Sequence, residues 1–329
     1  MAVPRPPKVS ICVPVYNVES WLPAALDSAL EQSLKDIEIV CVDDGSTDGS
    51  LAILQKYAAK DPRVKVLENG KNRGTLYARV RAALATEGDY VLWLDPDDEL
   101  FPDIARLAYE KAEETGAEVV IFSYEVRRRG KTRWVPLPDY LPGRQPGSDI
   151  LDLLAQQKIT WNLYNKLWSG ILTRAVATEL KPFVQSRHVI TAEDLLFFWL
   201  TARQTDSYAL LPSVGYLYWA DRGAAARKIG DVAFRRKYIS DISAVIGKIF
   251  SGEETDVDRR RAEQTLRAGE ANMFRQITSL PERESWAAFQ EYLAAFPADV
   301  RERVRDAMAR FNPQWYGAWR AAKALFDPE

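Results

Sequence analysis

Three carboxylates, Asp95, Asp97 and Asp98, fall within four positions directly behind the apolar run Val91-Leu92-Trp93-Leu94. Acids crowded at the end of a buried strand repel one another and resist desolvation, so they persist most easily where something positive binds. Hard divalent cations such as Mn2+ or Mg2+ take oxygen ligands and commonly share one or two carboxylates with substrate phosphates. The plain structural alternative is an acidic turn capping the next helix. A second acidic pair opens Asp43-Asp44-Gly45-Ser46-Thr47-Asp48-Gly49-Ser50, and a third, Glu193-Asp194, stands before the apolar stretch Leu195-Leu196-Phe197-Phe198. At a helix start a carboxylate gains from the dipole, and two adjacent acids project differently, so one can cap while the other faces a cleft.

These residues need elements that bring them together. The first part of the chain alternates strand and helix patterns, as βαβ units do. Strands are expected at Val9 to Val15, Ile37 to Val42, Val64 to Leu67 and Tyr90 to Leu94, with helices from Glu19 to Gln32, through Leu51, Leu54 and Tyr57, and from Thr75 to Thr86. Ser46, Thr47 or Asp48 can cap the second helix. Asn17, Asp43, Asp44, Asp95, Asp97 and Asp98 all follow strand ends, where ligands of open α/β sheets bind. Neither a GxGxxG fingerprint nor a Walker loop is present, so a nucleotide would be held by carboxylates and a metal rather than a glycine-rich cradle. A helix from Asp103 to Thr115 and a strand from Glu118 to Ser123 follow, then a basic hairpin at Arg127 to Arg133, read as a solvated turn or a phosphate contact. Pro136 to Ser148 reads as a loop or lid. Beyond about residue 230 the composition turns to charged amphipathic helices, which places a boundary between a domain over 1–229 and a helical region over 230–329. Trp315, Trp319, Ala322 and Phe326 share one helical face there, suited to core packing, a dimer contact or a lipid interface.

Bulk properties exclude several classes. With 329 residues, 47% of them hydrophobic, the chain can bury a large core, and a formal charge of −2 offers no field for nucleic acid. Two cysteines, Cys12 and Cys41, sit in apolar runs and read as buried thiols of a reducing compartment. The single histidine, His188, makes zinc sites and Ser-His chemistry improbable. No apolar run reaches the roughly 18 residues of a membrane span, and Met1 to Lys8 lacks a signal-peptide pattern.

Taken together, Val13-Pro14-Val15-Tyr16-Asn17, Asp43-Asp44-Gly45-Ser46-Thr47-Asp48-Gly49-Ser50 and Asp95-Pro96-Asp97-Asp98 resemble the family two glycosyltransferases with a GT-A fold. The resemblance continues in Asn72-Arg73-Gly74-Thr75 and Ala78-Arg79, similar to the family's N-x-G and A-R-N segments, although Val80 replaces the final Asn. It implies an α/β fold, a Rossmann-like mixed sheet flanked by helices, with a helical C-terminal region. It also implies that Pro14, Tyr16 and Asn17 line a nucleotide pocket and that Asp43 or Asp44 accepts a hydrogen bond from the base, the ring N–H in the case of uracil. Asn72 and Arg79 join the nucleotide-sugar site. Asp95 reaches the ribose or a water of the metal, Asp97 ligates Mn2+ or Mg2+, and Asp98 supports or joins it. Ala192-Glu193-Asp194 resembles the family's E-D segment, making Asp194 the general base and Glu193 its support. Asn165 and Lys166 would shape the acceptor floor or meet phosphate, Trp161, Tyr164 and Trp168 fit sugar faces or the core, and Arg222 is a diphosphate contact.

The activity implied is inverting transfer of a sugar from a nucleotide-diphosphate sugar, with UDP favoured, to the hydroxyl of a surface-polysaccharide or lipid-linked acceptor. The Q-x-x-R-W motif of processive synthases is missing, which points to a nonprocessive, cytoplasmic enzyme, free or peripheral to the inner face of the membrane. The partners are the donor and a glycan or lipid-linked acceptor, no nucleic acid, and, through the C-terminal helices, a homodimer or peripheral membrane contact. Two alternatives stand beside this reading. One is a noncatalytic nucleotide-sugar-binding or scaffolding protein. The other is a nucleotidyltransferase, which Pro14-Val15-Tyr16-Asn17-Val18-Glu19 disfavours because it lacks a glycine-rich basic loop.

Overall fold

The computed structural model describes residues 6–138, 141–222, 231–251 and 255–326, the last few without side chains. The chain divides into two compact units, Met1–Leu154 with Lys158–Ala226, and Ala155–Gln157 with Arg227–Glu329. The boundary expected near residue 230 lies outside the described residues, as do Met1 to Arg5, Gly223 and the side chains of Ala322 and Phe326.

In the first unit, β1 (Val9–Val15) and β2 (Ile37–Asp43) are buried along their full length. Helices cover both faces of such strands, so their sequences run apolar without alternation. β3 (Val64–Glu68) lies beyond β2 and β4 (Tyr90–Trp93) beyond β1, all parallel. Helices α1 (Leu22–Leu30), α2 (Ser50–Ala58) and α3 (Thr75–Leu84) make the crossovers. After α3 come β5 (Glu99–Leu100), α4 (Ile104–Thr115), β6 (Val119–Arg128), β7 (Lys131–Val135), β8 (Gln145–Pro146) and α5 (Ser148–Ala155). Then follow β9 (Lys166–Ser169), α6 (Gly170–Ser186), α7 (Glu193–Gln204) and β10 (Ser207–Trp219).

The sheet order is β3-β2-β1-β4-β9-β6-β10-β5, with β7 on β6 and β8 on β10. β9 runs antiparallel between β4 and β6, while β6 and β10 are parallel. β7 takes over the edge of β6 where β9 stops: β9 pairs with Val119 to Ile121, β7 with Tyr124 to Arg128.

Most predicted elements appear within a few residues of their expected ends, while β5, β8, β9, β10, α5 and α6 were not anticipated. β9 is four residues long and starts with a lysine, and α6 carries Pro182 in its interior, where proline normally breaks a helix. β6 runs five residues past the expected stop at Ser123, because the basic segment is the tip of its hairpin with β7. Arg129 and Gly130 turn that tip at φ 49° and 73°, the left-handed pair that two-residue hairpins favour.

The second unit consists of helices over Val232–Ile249, Asp256–Thr278, Glu282–Ala294, Ala298–Phe311 and Pro313–Phe326. Asp231 and Thr255 cap the first two by accepting amide hydrogen bonds. The aromatic stripe anticipated near the C-terminus is spent on packing: Trp315 and Trp319 lie 5.4 and 5.0 Å from Phe289, edge to face, and the Trp315 indole donates to Ser285. No helix among the described residues is long and apolar enough to cross a membrane.

Candidate active site

β1, β2 and β4 end at one sheet edge, and the loops leaving them are stitched together there. Asn17, held at φ 51°, accepts from the Thr47 amide at 2.7 Å and donates its own amide to Ser46. Pro14 is buried in β1, and Tyr16 beside it stands 42% exposed above the loops. Gly45 lets the β2 loop meet the next one: at φ +73° it lies against the Lys71 backbone, where a Cβ would come within 2.5 Å.

The two acids after β2 have different tasks. Asp44 accepts from Asn69 Nδ2 at 2.7 Å and from the Arg73 and Gly74 amides at 2.9 Å, tying two loops together. Asp43 uses one oxygen, Oδ2, to close a turn on the Gly45 and Ser46 amides, while its buried Oδ1 has no hydrogen-bond partner. A buried acceptor left in that state is costly unless something donates to it. Asn72 Oδ1 accepts from the Gly74 amide and lies 2.6 Å from His188 Nε2.

The acids after β4 divide in the same way. Asp98 is buried, accepting from the Tyr216 hydroxyl at 2.8 Å on one oxygen and from the Trp219 amide at 2.7 Å on the other. Tyr216 also accepts from the Asp95 amide, so β10 anchors the whole turn. Burial, then Asp97 and Asp95, push the Asp98 carboxyl well above its ordinary range. Asp97 is partly exposed, and its carbonyl accepts from Arg222 at 3.4 Å. The Arg222 guanidinium stacks 3.5 Å from the Trp219 ring and 4.7 Å from Trp21, next to Glu99.

Arg79, which the resemblance assigns to the nucleotide-sugar site, sits beneath this edge. It is 2% exposed, and its Nη2 donates to Asp95 Oδ1 at 2.8 Å while lying 3.0 Å from Asp194 Oδ1. Glu193 is 3.8 Å from its Nε. Burial alone would lower the guanidinium pKa, but Asp194, Asp95 and Glu193 outweigh it and hold the charge firmly. One cation therefore joins three acids and brings the Asp95 and Asp194 carboxylates within two hydrogen-bond lengths of each other.

Glu193 and Asp194 open α7 behind Ala192, which is left-handed at φ 60°. Such strain in a non-glycine residue persists only where the surroundings enforce it. Burial raises both carboxyls; Asp194 adds to the rise of Glu193, while Arg79 opposes it at both. The Leu163 amide donates to the Asp194 carboxylate. Lys166 secures that amide. Fully buried, its ammonium donates to the Thr160 and Asn162 carbonyls at 3.0 and 2.6 Å and to Asn165 Oδ1 at 2.6 Å, clamping the turn that carries Leu163. With all three N–H bonds used inside the protein, Lys166 meets no phosphate. Burial pulls it down to about 7.

Sequence reasoning missed the parts played by Tyr216 and Leu163. The alternation Tyr216-Leu217-Tyr218-Trp219 was a usable strand signal; an amide that acts through its backbone leaves none. Of the aromatics, Trp168 is core, and Tyr164 is buried in a stack on Tyr216 and Tyr218 at 4.3 and 5.7 Å.

No group of three or more metal-ligating side chains converges among the described residues. The donor set present is Asp97 with Asp95 alongside, since both Asp98 oxygens are engaged. Two carboxylates fit the way Mg2+ or Mn2+ is held jointly with substrate phosphates.

A mixed sheet whose loops gather these acids at one edge defines a GT-A-type, Rossmann-like fold. Residues 10–178 match the profile of Glycosyl transferase family 2, and the chain belongs to that family. Among its relatives are glycosyltransferase GlyA of Streptococcus pneumoniae, 38% identical over 117 residues (36% of this chain, 17% of that one), and the cholesterol galactosyltransferase of Borreliella burgdorferi, 29% identical over 197 residues (58% and 54%). The chain thus spans about half or less of the length of these relatives. Among solved structures, S. aureus TarS 1-349 in complex with UDP-GlcNAc superposes with a TM-score of 0.67 at 19% identity, covering 95% of this chain and 89% of that one. The mannosyltransferase PcManGT from Pyrobaculum calidifontis, in complex with GDP-Man and Mn2+, gives 0.51 at 21% identity over 99% and 89%. Both likenesses concern the fold.

Proposed function

We propose that this chain is an inverting glycosyltransferase that moves a sugar from a nucleotide-diphosphate donor to an acceptor hydroxyl. The observation that carries it is the shared Arg79 guanidinium: it sets the acid of the donor side, Asp95, against the half-buried carboxylate of α7, Asp194. A donor above Asp95 and Asp97 would then present its anomeric carbon to a hydroxyl held by Asp194.

On the donor side, the unpartnered Asp43 Oδ1 takes the ring N–H of a uracil, which favours a UDP-sugar, and Tyr16 and Asn17 flank the base. Asp97 and Asp95 would hold a divalent cation, which when bound neutralises charge gathering on the departing diphosphate. Arg222, fixed over Trp219, faces the same diphosphate as a cation of the protein's own. Asp98 positions this loop from within.

On the acceptor side, Asp194 removes the proton from the attacking hydroxyl, and its raised pKa makes it a better base than an ordinary surface carboxylate. Glu193 and Arg79 hold it in place. Direct displacement at the anomeric carbon needs no enzyme nucleophile.

The test is donor turnover with Asp194→Asn and Asp97→Ala, beside donor binding measured calorimetrically with and without Mn2+. Asp194→Asn should lose roughly 100- to 10,000-fold in transfer while still binding donor. Asp97→Ala should lose the metal-dependent part of donor affinity. Retention of most turnover by Asp194→Asn would sink the assignment of the base, and donor binding with no transfer or hydrolysis across a broad acceptor panel would instead favour a noncatalytic binding protein.

A further inference from the structure

The β6–β7 hairpin carries Arg127, Arg128, Arg129, Lys131 and Arg133, five cations within seven positions of a chain whose formal charge is −2. None of the five forms an ion pair among the described residues. The register shows where they point. Tyr218 of β10 pairs with Val126 of β6, and Val126 with Arg133 of β7; Arg128 pairs with Lys131. Paired residues share a sheet face, as do residues two apart along one strand. Tyr218, Val126, Arg128, Lys131 and Arg133 therefore form one continuous surface. Arg127 belongs to the opposite face, stacked on Trp219 at 4.6 Å.

Tyr218 is the inner end of this surface. Half-buried, it stacks on Tyr164, which also stacks on Tyr216, whose hydroxyl donates to Asp98 and accepts from the Asp95 amide, so Tyr218 stands next to the acids that follow β4. The cations are the outer end. Arg133 lies two strands across from Tyr218, about 10 Å at ordinary strand spacing, and Arg128 one strand across and two residues along. That is the length of one or two sugar residues. Tyr218 offers a flat face to a sugar, and Arg forks match phosphate oxygens geometrically.

The geometry points to an acceptor that is an anionic, phosphate-bearing glycan, laid over Tyr218 with its phosphate on Arg128, Lys131 and Arg133. This rests on the transfer reading above and names its acceptor class. A lipid surface would need exposed apolar side chains beside the cations on the same face; here Val126 and Val135 of that face are half-buried against the core, and the exposed Trp134 falls on the other face, opposite Glu125.

The test uses the full chain and the double variant Arg128→Glu/Arg133→Glu. Inorganic polyphosphate is the binding probe, followed by intrinsic tryptophan fluorescence. The wild type should bind it in a salt-sensitive way, and the variant at least about tenfold more weakly with a shallower salt dependence. In turnover assays with matched acceptor oligosaccharides, with and without a phosphomonoester, the wild type should show a lower KM for the phosphorylated member. The variant should lose that preference while its acceptor-free donor hydrolysis stays within about twofold. Equal use of charged and neutral acceptors by the wild type would overturn the assignment, as would undiminished polyphosphate binding by the variant. Capture of phosphatidylglycerol vesicles by the wild type, lost in the variant and unaccompanied by polyphosphate binding, would overturn it in favour of a membrane. Failure of the wild type to bind or hydrolyse any donor is a separate result: it defeats the transfer reading and takes the acceptor assignment with it.

Discussion

The two sides of the candidate site handle their acids in opposite ways. On the donor side, Asp43, Asp44 and Asp98 are met by backbone amides and neutral side chains, from adjoining loops for the first two and from β10 for Asp98. On the base side, Arg79 faces both Glu193 and Asp194, and Lys166 adds a second buried cation toward Asp194. The first arrangement spreads its cost over many ordinary hydrogen bonds. The second concentrates it, because each buried charge depends on a few partners brought from distant parts of the chain. The base side should therefore break hard and sharply, and the donor side by degrees.

The largest expected effect follows from removing the shared cation. Arg79→Met leaves Asp95, Glu193 and Asp194 without their common partner, and breaking a buried ion pair from one side costs about 3–5 kcal/mol. Urea midpoints should show that loss at neutral pH. The loss should shrink as pH falls, because protonating the stranded acids removes the uncompensated charge. A midpoint shift independent of pH would mean that Arg79 acts by packing alone.

Next comes a contrast between neighbours. Asp44→Asn turns one hydrogen-bond acceptor into a donor facing amide donors, so stability should drop by about 1–3 kcal/mol. Asp43→Asn keeps an acceptor for its turn and should cost little stability, yet weaken a UDP-sugar roughly tenfold or more. Parallel melting curves and donor titrations check both. Donor loss in Asp44→Asn alone would invert the assignment.

Lys166→Met should lower kcat roughly ten- to hundredfold by freeing the Leu163 turn, with donor affinity held. Conservative Lys166→Arg should not restore it fully, since a larger fork does not fit three acceptors arranged around one nitrogen.

The smallest effect is a displacement in pH. Asp194 must be ionised to accept a proton, and burial raises its pKa, so kcat should fall as pH drops through a value above the ordinary carboxylate figure of about 4. Lys166 and the Leu163 amide both lower that pKa. Lys166→Met should accordingly move the acid limb to still higher pH. An unmoved limb would separate Lys166 from the base.

Much of the donor side was legible because its information is local. Apolar runs end at Val15, Val42 and Leu94, and parallel strands joined by helices deliver their C-terminal ends to one edge. That logic places Asn17, Asp43, Asp95 and Asp97 near one another from the sequence alone. It did not distinguish Asp43 from Asp44 or Asp97 from Asp98, since adjacent acids look alike until their hydrogen bonds are counted. The base side was less legible for a different reason. β9 is four residues long and inserted antiparallel between β4 and β6, and so short a strand leaves no periodicity to read.

The sequence by itself determined the alternation of strands and helices, the crowding of acids at strand ends, the scarcity of histidine and the family to which the chain belongs. These are matters of residue type and spacing, which hydrophobic burial and strand geometry convert directly into position. Only the tertiary structure decided that Arg79 lies beneath the site, that Lys166 clamps a turn instead of meeting phosphate, that Asp98 is an anchor, and that three hairpin cations share a face with Tyr218. Each depends on pairing between distant segments, where register and burial select a partner that no single stretch of chain specifies.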